Sequence, residues 1–213
     1  LIHSFFSIIH ACFSNADLIL VVNSANGPFG LITKLFNKPT AINVDGLEWL
    51  RPKWKGLGAI YFKWASKMAT VFYDQIINDS EEMRKIYLEL FKKDSIVIAY
   101  GANLRKSTNP EFIRNWSLKK REYYLIVGRL IPDNNADIII KGFINSDSNK
   151  KLVIVGDVPY KDLYVSSLKK INDQRLIFTS YISDQEILAE LYHNCYAYLH
   201  GHEFGGTNPT MIK

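Results

Sequence analysis

Residues 123–135 read YYLIVGRLIPDNN. An apolar run with no polar alternation marks a strand buried on both faces, and such strands belong to parallel sheets. It ends at Gly128 and Arg129, followed by Pro132 and the Asn134-Asn135 pair. In open α/β sheets ligands bind beyond the carboxyl ends of the strands. An arginine there either holds a diphosphate through paired hydrogen bonds or closes a surface loop.

Working outward, similar runs recur at LILVV (18–22), TAINV (40–44), QII (75–77), SIVIA (95–99), KLVIVG (151–156), RLIFTS (175–180) and CYAYLHG (195–201). Amphipathic stretches near 1–14, 28–37, 55–73, 80–92, 135–146, 160–171 and 184–194 separate them. Strand and helix in alternation predict βαβ crossovers and an α/β fold. Asp79-Ser-Glu-Glu82 and Ser183-Asp-Gln-Glu186 have the spacing of capping boxes, with Asp79 and Ser183 as the expected caps.

The alternation breaks at 101–121, a polar, basic stretch with one proline. It predicts two Rossmann-like domains facing each other, 1–103 and 123–213, joined by a linker over 104–122. The chain has 213 residues, 47% hydrophobic and 22% charged, which excludes disorder and fibrous or disulfide scaffolds. It starts at Leu1 and stops at Lys213 within an incipient helix, so a fragment of a longer protein is expected, with both domains incomplete. Cys12 and Cys195 sit in apolar runs and read as buried free thiols.

The net charge of +5 is unevenly placed. Between Leu50 and Tyr73 lie Arg51, Lys53, Lys55, Lys63 and Lys67 and no acid. That favours local anion or membrane-surface contacts over coating of nucleic acid. In the same stretch Leu57, Ile60, Tyr61, Trp64, Met68 and Phe72 follow helical spacing. They read as a core stripe with a basic rim, in preference to a face lying on an anionic membrane. No run approaches the ~18 apolar residues needed to cross a bilayer.

Polar and glycine-rich residues follow the other strands too, most densely at HEFGGTNP (202–209). Gly205 and Gly206 let backbone N–H groups approach an anion, and Pro209 opens a helix whose N-terminus favours one. Glu203 would repel phosphate but suits the neutral hydroxyls of a sugar; alternatively this is a tight strand-to-helix turn with an exposed Glu. His200, His202 and Glu203 could suggest a metal site, since 200 and 202 share a strand face, but no further ligand completes the set and a polar strand end accounts for them better. There is no Asp-x-Asp, no Gly-x-Gly-x-x-Gly and no phosphate-binding lysine loop, so dehydrogenase and ATPase chemistry lack their signals.

VGRLIPDNN, LVIVGD, YISDQE and HGHEFGGTNP in this order resemble the donor-binding domain of a GT-B glycosyltransferase of the retaining family-four type. ANGPFG, INVDGLEW with its basic-aromatic tail, and VIAYGA resemble the acceptor domain of one branch, the bacterial rhamnosyltransferases of capsule and cell-wall polysaccharide assembly. The resemblance implies a cytoplasmic enzyme, at the inner face of the membrane, that moves a sugar such as rhamnose from a nucleotide-diphosphate donor to a glycan or lipid-linked acceptor with retention. It implies no cofactor, no metal and no nucleic-acid partner. Gly128, Arg129 and Asn134 would hold the donor diphosphate. Tyr181 and Ile182 would lie near the base. Glu203 would bond the donor sugar, with Phe204, Gly205, Gly206, Thr207 and Asn208 contacting sugar and phosphate through their amides. Asp45 would act with Glu203 in catalysis, and Gly46, Asn26, Gly27 and Tyr100 would line the sugar and acceptor side.

Two positions depart from the pattern: Asn134 stands where a lysine is usual, and Lys213 at or near the second glutamate. Transfer from such a donor requires stabilising a departing diphosphate, which an arginine, a helix N-terminus and amides can do without a metal. Retention by same-face attack needs no protein nucleophile, in keeping with the lack of paired carboxylates spaced for double displacement. Two competing readings remain. One is a nucleotide-sugar epimerase or hydrolase, with Asp45, Glu48 and His202 as acid/base candidates. The other is an inactive sugar-nucleotide-binding module.

Overall fold

The computed structural model describes residues 1–44, 46–51, 53–102, 106–202 and 210. They form two compact units that part after Tyr100. Asp45, Glu203, Phe204, Gly205, Gly206, Thr207, Asn208 and Lys213 lie outside the described residues.

In the first unit β1 (Ile19–Val22), β2 (Thr40–Asn43), β3 (Gln75–Asn78) and β4 (Ile96–Val97) pair in that order. All three pairings are parallel. Helix α1 (Ile2–Cys12) precedes β1, and α2 (Gly30–Leu35), α3 (Leu57–Phe72) and α4 (Glu81–Phe91) lie between the strands. Ile42, Val44, Ile76, Met83 and Tyr87 form the middle of the core with Ile19 and Val21. On the opposite face of β1, Leu20 and Val22 are exposed.

Helix α3 is placed by a close approach. Residues Ser24–Phe29 make a 3-10 turn against it, pinned where the Tyr61 and Tyr73 hydroxyls donate to the Ala25 and Asn26 carbonyls at 2.9 and 3.0 Å. A Cβ on Gly27 would stand 2.0 Å from the Ala65 carbonyl oxygen, so only glycine fits that contact. The buried residues of α3 are accordingly Phe62, Ala65, Ser66 and Ala69. This corrects the expected core stripe: Leu57, Ile60 and Trp64 face outward, with Tyr61, Met68 and Phe72 partly buried between the two faces. Small residues won the inner face because backbone had to come close there, which an apolar pattern does not reveal.

The second unit orders β5 (Tyr123–Val127), β6 (Lys151–Val155), β7 (Leu176–Ser180) and β8 (Ala197–Tyr198) as β7-β6-β5-β8, again all parallel. Its helices are α5 (Ala136–Ile144), α6 (Leu163–Lys169) and α7 (Gln185–Asn194). The chain builds outward from β5 to β7, then returns through α7 to lay β8 on the other side of β5. Strand order therefore reverses between β5 and β8, the place where such sheets open a crevice. Tyr123, Leu125, Leu152, Val153 and Ile154 are fully buried, as their uninterrupted apolar runs require.

Two local expectations shift by one residue. Ser80, rather than Asp79, caps α4 by accepting from the Met83 amide, while Asp79 is buried. Asp184, rather than Ser183, caps α7, its carboxylate taking the Glu186 and Ile187 amides at 2.8 and 3.3 Å. The stretch expected as a linker carries a 3-10 turn, Pro110–Trp116. Its Ile113 and Leu118 are buried in the core with Tyr123, Leu188 and Leu191. Glu190 anchors this stretch: one carboxylate oxygen accepts from the Thr108 and Asn109 amides at 2.5 and 2.7 Å, the other from Ser107 at 2.8 Å and Asn194 at 2.9 Å. Burial alone pushes the Glu190 carboxyl up; the hydrogen bonds from Asn109, Ser107, Thr108 and Asn194 outweigh it and hold the group below its ordinary value.

Candidate functional site

At the reversal point of the second sheet lies a small, open hollow. Its floor is the end of β5 with Gly128 and Arg129, its far wall Tyr198 to His202 beyond β8, and its rim Asn134 and Ala136 at the start of α5.

The chain after β5 is wound tightly. The Arg129 carbonyl accepts from the Ile131 amide at 2.9 Å and from the Asn134 side-chain nitrogen at 2.7 Å. Pro132 opens a single 3-10 turn, and Asn135 takes a left-handed conformation, φ 51°, before α5 begins. Ala136, the first residue of α5, lines the hollow, where the helix dipole favours an anion, while the Asp137 amide is taken by the Tyr164 hydroxyl at 3.2 Å. The Arg129 side chain is exposed at the rim, free of the packing constraints that fix a core residue.

The opposite wall is tied to this turn. Asn135 donates to the Gly201 carbonyl at 2.8 Å, and a Cβ on Gly201 would stand 2.7 Å from the Asn134 carbonyl oxygen. His202 Nδ1 lies 2.5 Å from the Asn134 side-chain oxygen. The Arg129 carbonyl can only accept, so Asn134 must turn its nitrogen toward it and its oxygen toward His202. Nδ1 of His202 therefore carries a proton in this contact. The Tyr198 hydroxyl reaches the Val127 carbonyl at 3.3 Å and His200 Nδ1 at 3.2 Å, joining the ends of β8 and β5. Burial, then the neighbouring His202, lowers the His200 imidazole below its ordinary pKa.

Gly156, just after β6, packs against Gly128, which lines the hollow. Its φ is 142°, and a Cβ there would fall 1.8 Å from the Gly128 carbonyl oxygen. The next residue, Asp157, is engaged structurally: the 2.7 Å bond from Lys169 and the Val158 amide depress its carboxyl pKa.

Of the expected donor residues, the structure gathers Gly128, Arg129 and Asn134 at one hollow. Tyr181 and Ile182 follow β7 and do not line it: Tyr181 is exposed and Ile182 packs on a core cluster. Asn26, Gly27, Gly46 and Tyr100 belong to the first unit. Asn26 donates to the Val22 carbonyl at 2.9 Å, Gly46 has φ 71° and Tyr100 is exposed. Glu48 is buried and taken up by Arg51 at 3.0 Å and the Trp54 indole at 3.0 Å, which accounts for much of the EWLRPKW pattern. Sequence reasoning assigned nothing to Tyr198, Gly201 or Asn135. The Asn-Asn pair ahead of an apolar helix was the available signal for the last.

An α/β unit with an arginine and a helix start at its reversal point is the setting for a phosphate-bearing ligand. Residues 108–209 match the family Glycosyl transferases group 1. The hollow lies within this group 1 segment. Residues 18–103 match a family described only as a domain of unknown function, DUF1972. No curated protein matches the chain. Among solved structures, HepE of Anabaena in complex with UDP and glucose superposes with TM-score 0.73 at 17% identity, covering 92% of this chain and 55% of that one. Sucrose-phosphate synthase of Thermosynechococcus elongatus gives 0.73 at 18%, covering 91% and 52%. The pneumococcal O-GlcNAc transferase GtfA with UDP and GlcNAc gives 0.68 at 13%, covering 97% and 41%. The chain thus spans about half the length of these proteins. The α/β fold, parallel sheets in two Rossmann-like parts, matches that of GT-B glycosyltransferases.

Proposed function

We propose that this chain carries the donor site of a glycosyltransferase that takes a sugar from a nucleotide diphosphate. The observation that carries the reading is the hollow at the β5–β8 reversal. Arg129 and the positive end of the α5 helix dipole meet there, inside the segment matched to group 1 glycosyltransferases. That combination stabilises a departing diphosphate. Structural neighbours crystallised with UDP or UDP-glucose support a uridine nucleotide as the donor base.

The finer parts of the proposal rest on the resemblance of the motifs. They are a rhamnosyl or related donor, retention by same-face attack, and a polysaccharide or lipid-linked acceptor met at the inner face of a bacterial membrane. Glu203 and Asp45 would face the transferred sugar, and no cofactor or metal is invoked. Among the described residues no helix is long and apolar enough to cross a membrane.

The test is thermal stabilisation by a panel of UDP-glucose, UDP-N-acetylglucosamine, UDP-galactose and deoxythymidine-diphosphate rhamnose. Stabilisation by at least one, lost in Arg129→Ala, is the expected result; none at all would overturn the reading. Product anomers read by NMR decide retention, which an inverted product rejects.

A further inference from the structure

Helix α3 has two apolar faces. The inner one, Phe62, Ala65 and Ala69, meets the core. On the other side Leu57, Ile60, Trp64 and Val71 are 85%, 66%, 47% and 50% exposed. At 3.6 residues per turn these four fall on one stripe, opposite the buried residues, with Lys63 and Lys67 alongside. A surface helix ordinarily turns charge and polarity outward. Here the outward side carries bulky apolar groups interleaved with lysines, and Lys53 and Lys55 lie exposed just ahead of it.

The charge is one-signed. No acid occurs from Trp49 to Tyr73; of the acids that flank this run, Glu48 is buried and paired with Arg51, and Asp74 accepts from the Thr40 amide and hydroxyl at 2.8 and 3.0 Å. Lys53 lies at the outer limit of Glu48's reach, 3.8 Å, with half its side chain exposed.

We propose that the outer face of α3 is a docking surface for an anionic lipid bilayer, with Leu57, Ile60, Trp64 and Val71 entering the headgroup boundary while Lys55, Lys63 and Lys67 bind lipid phosphates. Apolar residues on one stripe with flanking lysines are what a helix lying in the interface plane requires. An indole such as that of Trp64 sits well at that depth. A second copy of the chain fits poorly, because a two-fold contact would set like-charged lysines against each other. The proposal locates the membrane contact of the preceding reading, and its test is scored independently of donor binding.

The 213-residue chain is sedimented with vesicles of phosphatidylcholine alone, or containing about a third phosphatidylglycerol. Binding to the anionic vesicles is expected to be about tenfold or more tighter than to the neutral ones, and to weaken with salt. Lys63→Glu with Lys67→Glu should lower it about tenfold, and Ile60→Gln with Trp64→Gln should lower it comparably. These side chains are exposed, so circular dichroism and UDP-glucose stabilisation should stay as in the parent chain. Equal binding to both vesicle types, binding to neither, or binding unchanged in both variants overturns the proposal. So does a self-association that Trp64→Gln abolishes without any vesicle binding, which would assign the face to protein. Loss of UDP-glucose stabilisation with vesicle binding intact would instead count against the donor-site reading.

Discussion

The side-chain oxygen of Asn134 holds Nδ1 of His202 at 2.5 Å, across 68 positions of sequence. Because the Asn134 nitrogen is committed to the Arg129 carbonyl, the pair sets one tautomer of His202 and one orientation of its ring. Nitrogen-15 NMR of the imidazole should show the Nδ1–H form dominant. In Asn134→Leu that preference should disappear and nucleoside-diphosphate affinity should fall about 5- to 20-fold, the loss of one or two hydrogen bonds. An unchanged tautomer ratio would mean that another group orients the ring.

Arg129 offers a cleaner separation of binding from folding. Its side chain is exposed, so Arg129→Ala should leave urea stability within about 0.5 kcal/mol. The dissociation constant for UDP, measured by calorimetry, should rise about 10- to 100-fold, as expected when a charge-assisted contact is lost. Arg129→Lys should recover only part of that, because an ammonium cannot make the paired contact of a guanidinium.

The two glycines at 142 and 156 make an internal comparison. Gly156→Ala forces a Cβ against the Gly128 carbonyl at φ 142° and should cost about 2–4 kcal/mol in urea unfolding. Gly142 lies in α5 with nothing within 4 Å of its would-be Cβ. Gly142→Ala should therefore stabilise by about 0.5–1 kcal/mol.

Glu190 predicts a pH dependence. Its folded-state pKa is depressed relative to the unfolded chain, since four hydrogen bonds outweigh the burial that raises it. Its contribution is thus fully present above the unfolded glutamate pKa, about 4.3, and is lost as pH falls through the lower folded value. Glu190→Gln should cost about 1–3 kcal/mol near neutrality, because an amide nitrogen would replace one accepting oxygen. The gap between the parent and variant midpoints in urea should close on acidification; a constant gap would remove the carboxylate from the explanation.

Much of this molecule was legible as sequence. The strands stand out because a sheet covered on both faces needs uninterrupted apolar runs, as at 123–127 and 151–155. Arg129 stands out because a charge directly after such a run has few places to go. The orientation of α3 was not legible: Ala65, Ser66 and Ala69 face inward on account of a backbone approach made by Gly27, 38 positions earlier. Nor was the Asn134–His202 pair, which exists only because the chain doubles back to set β8 beside β5. Caps slipped by one residue where two adjacent polar side chains could each serve. Ser80 does so while Asp79 is buried.

The contact between Gly156 and the Gly128 carbonyl also bears on how the hollow could be altered. The strand end behind Gly128 offers no handle: every substitution at 156 adds atoms where backbone already stands. Any redesign of what the hollow accepts must work from its rim, at Arg129, Asn134 and His202, and leave the strand ends beneath them as they are.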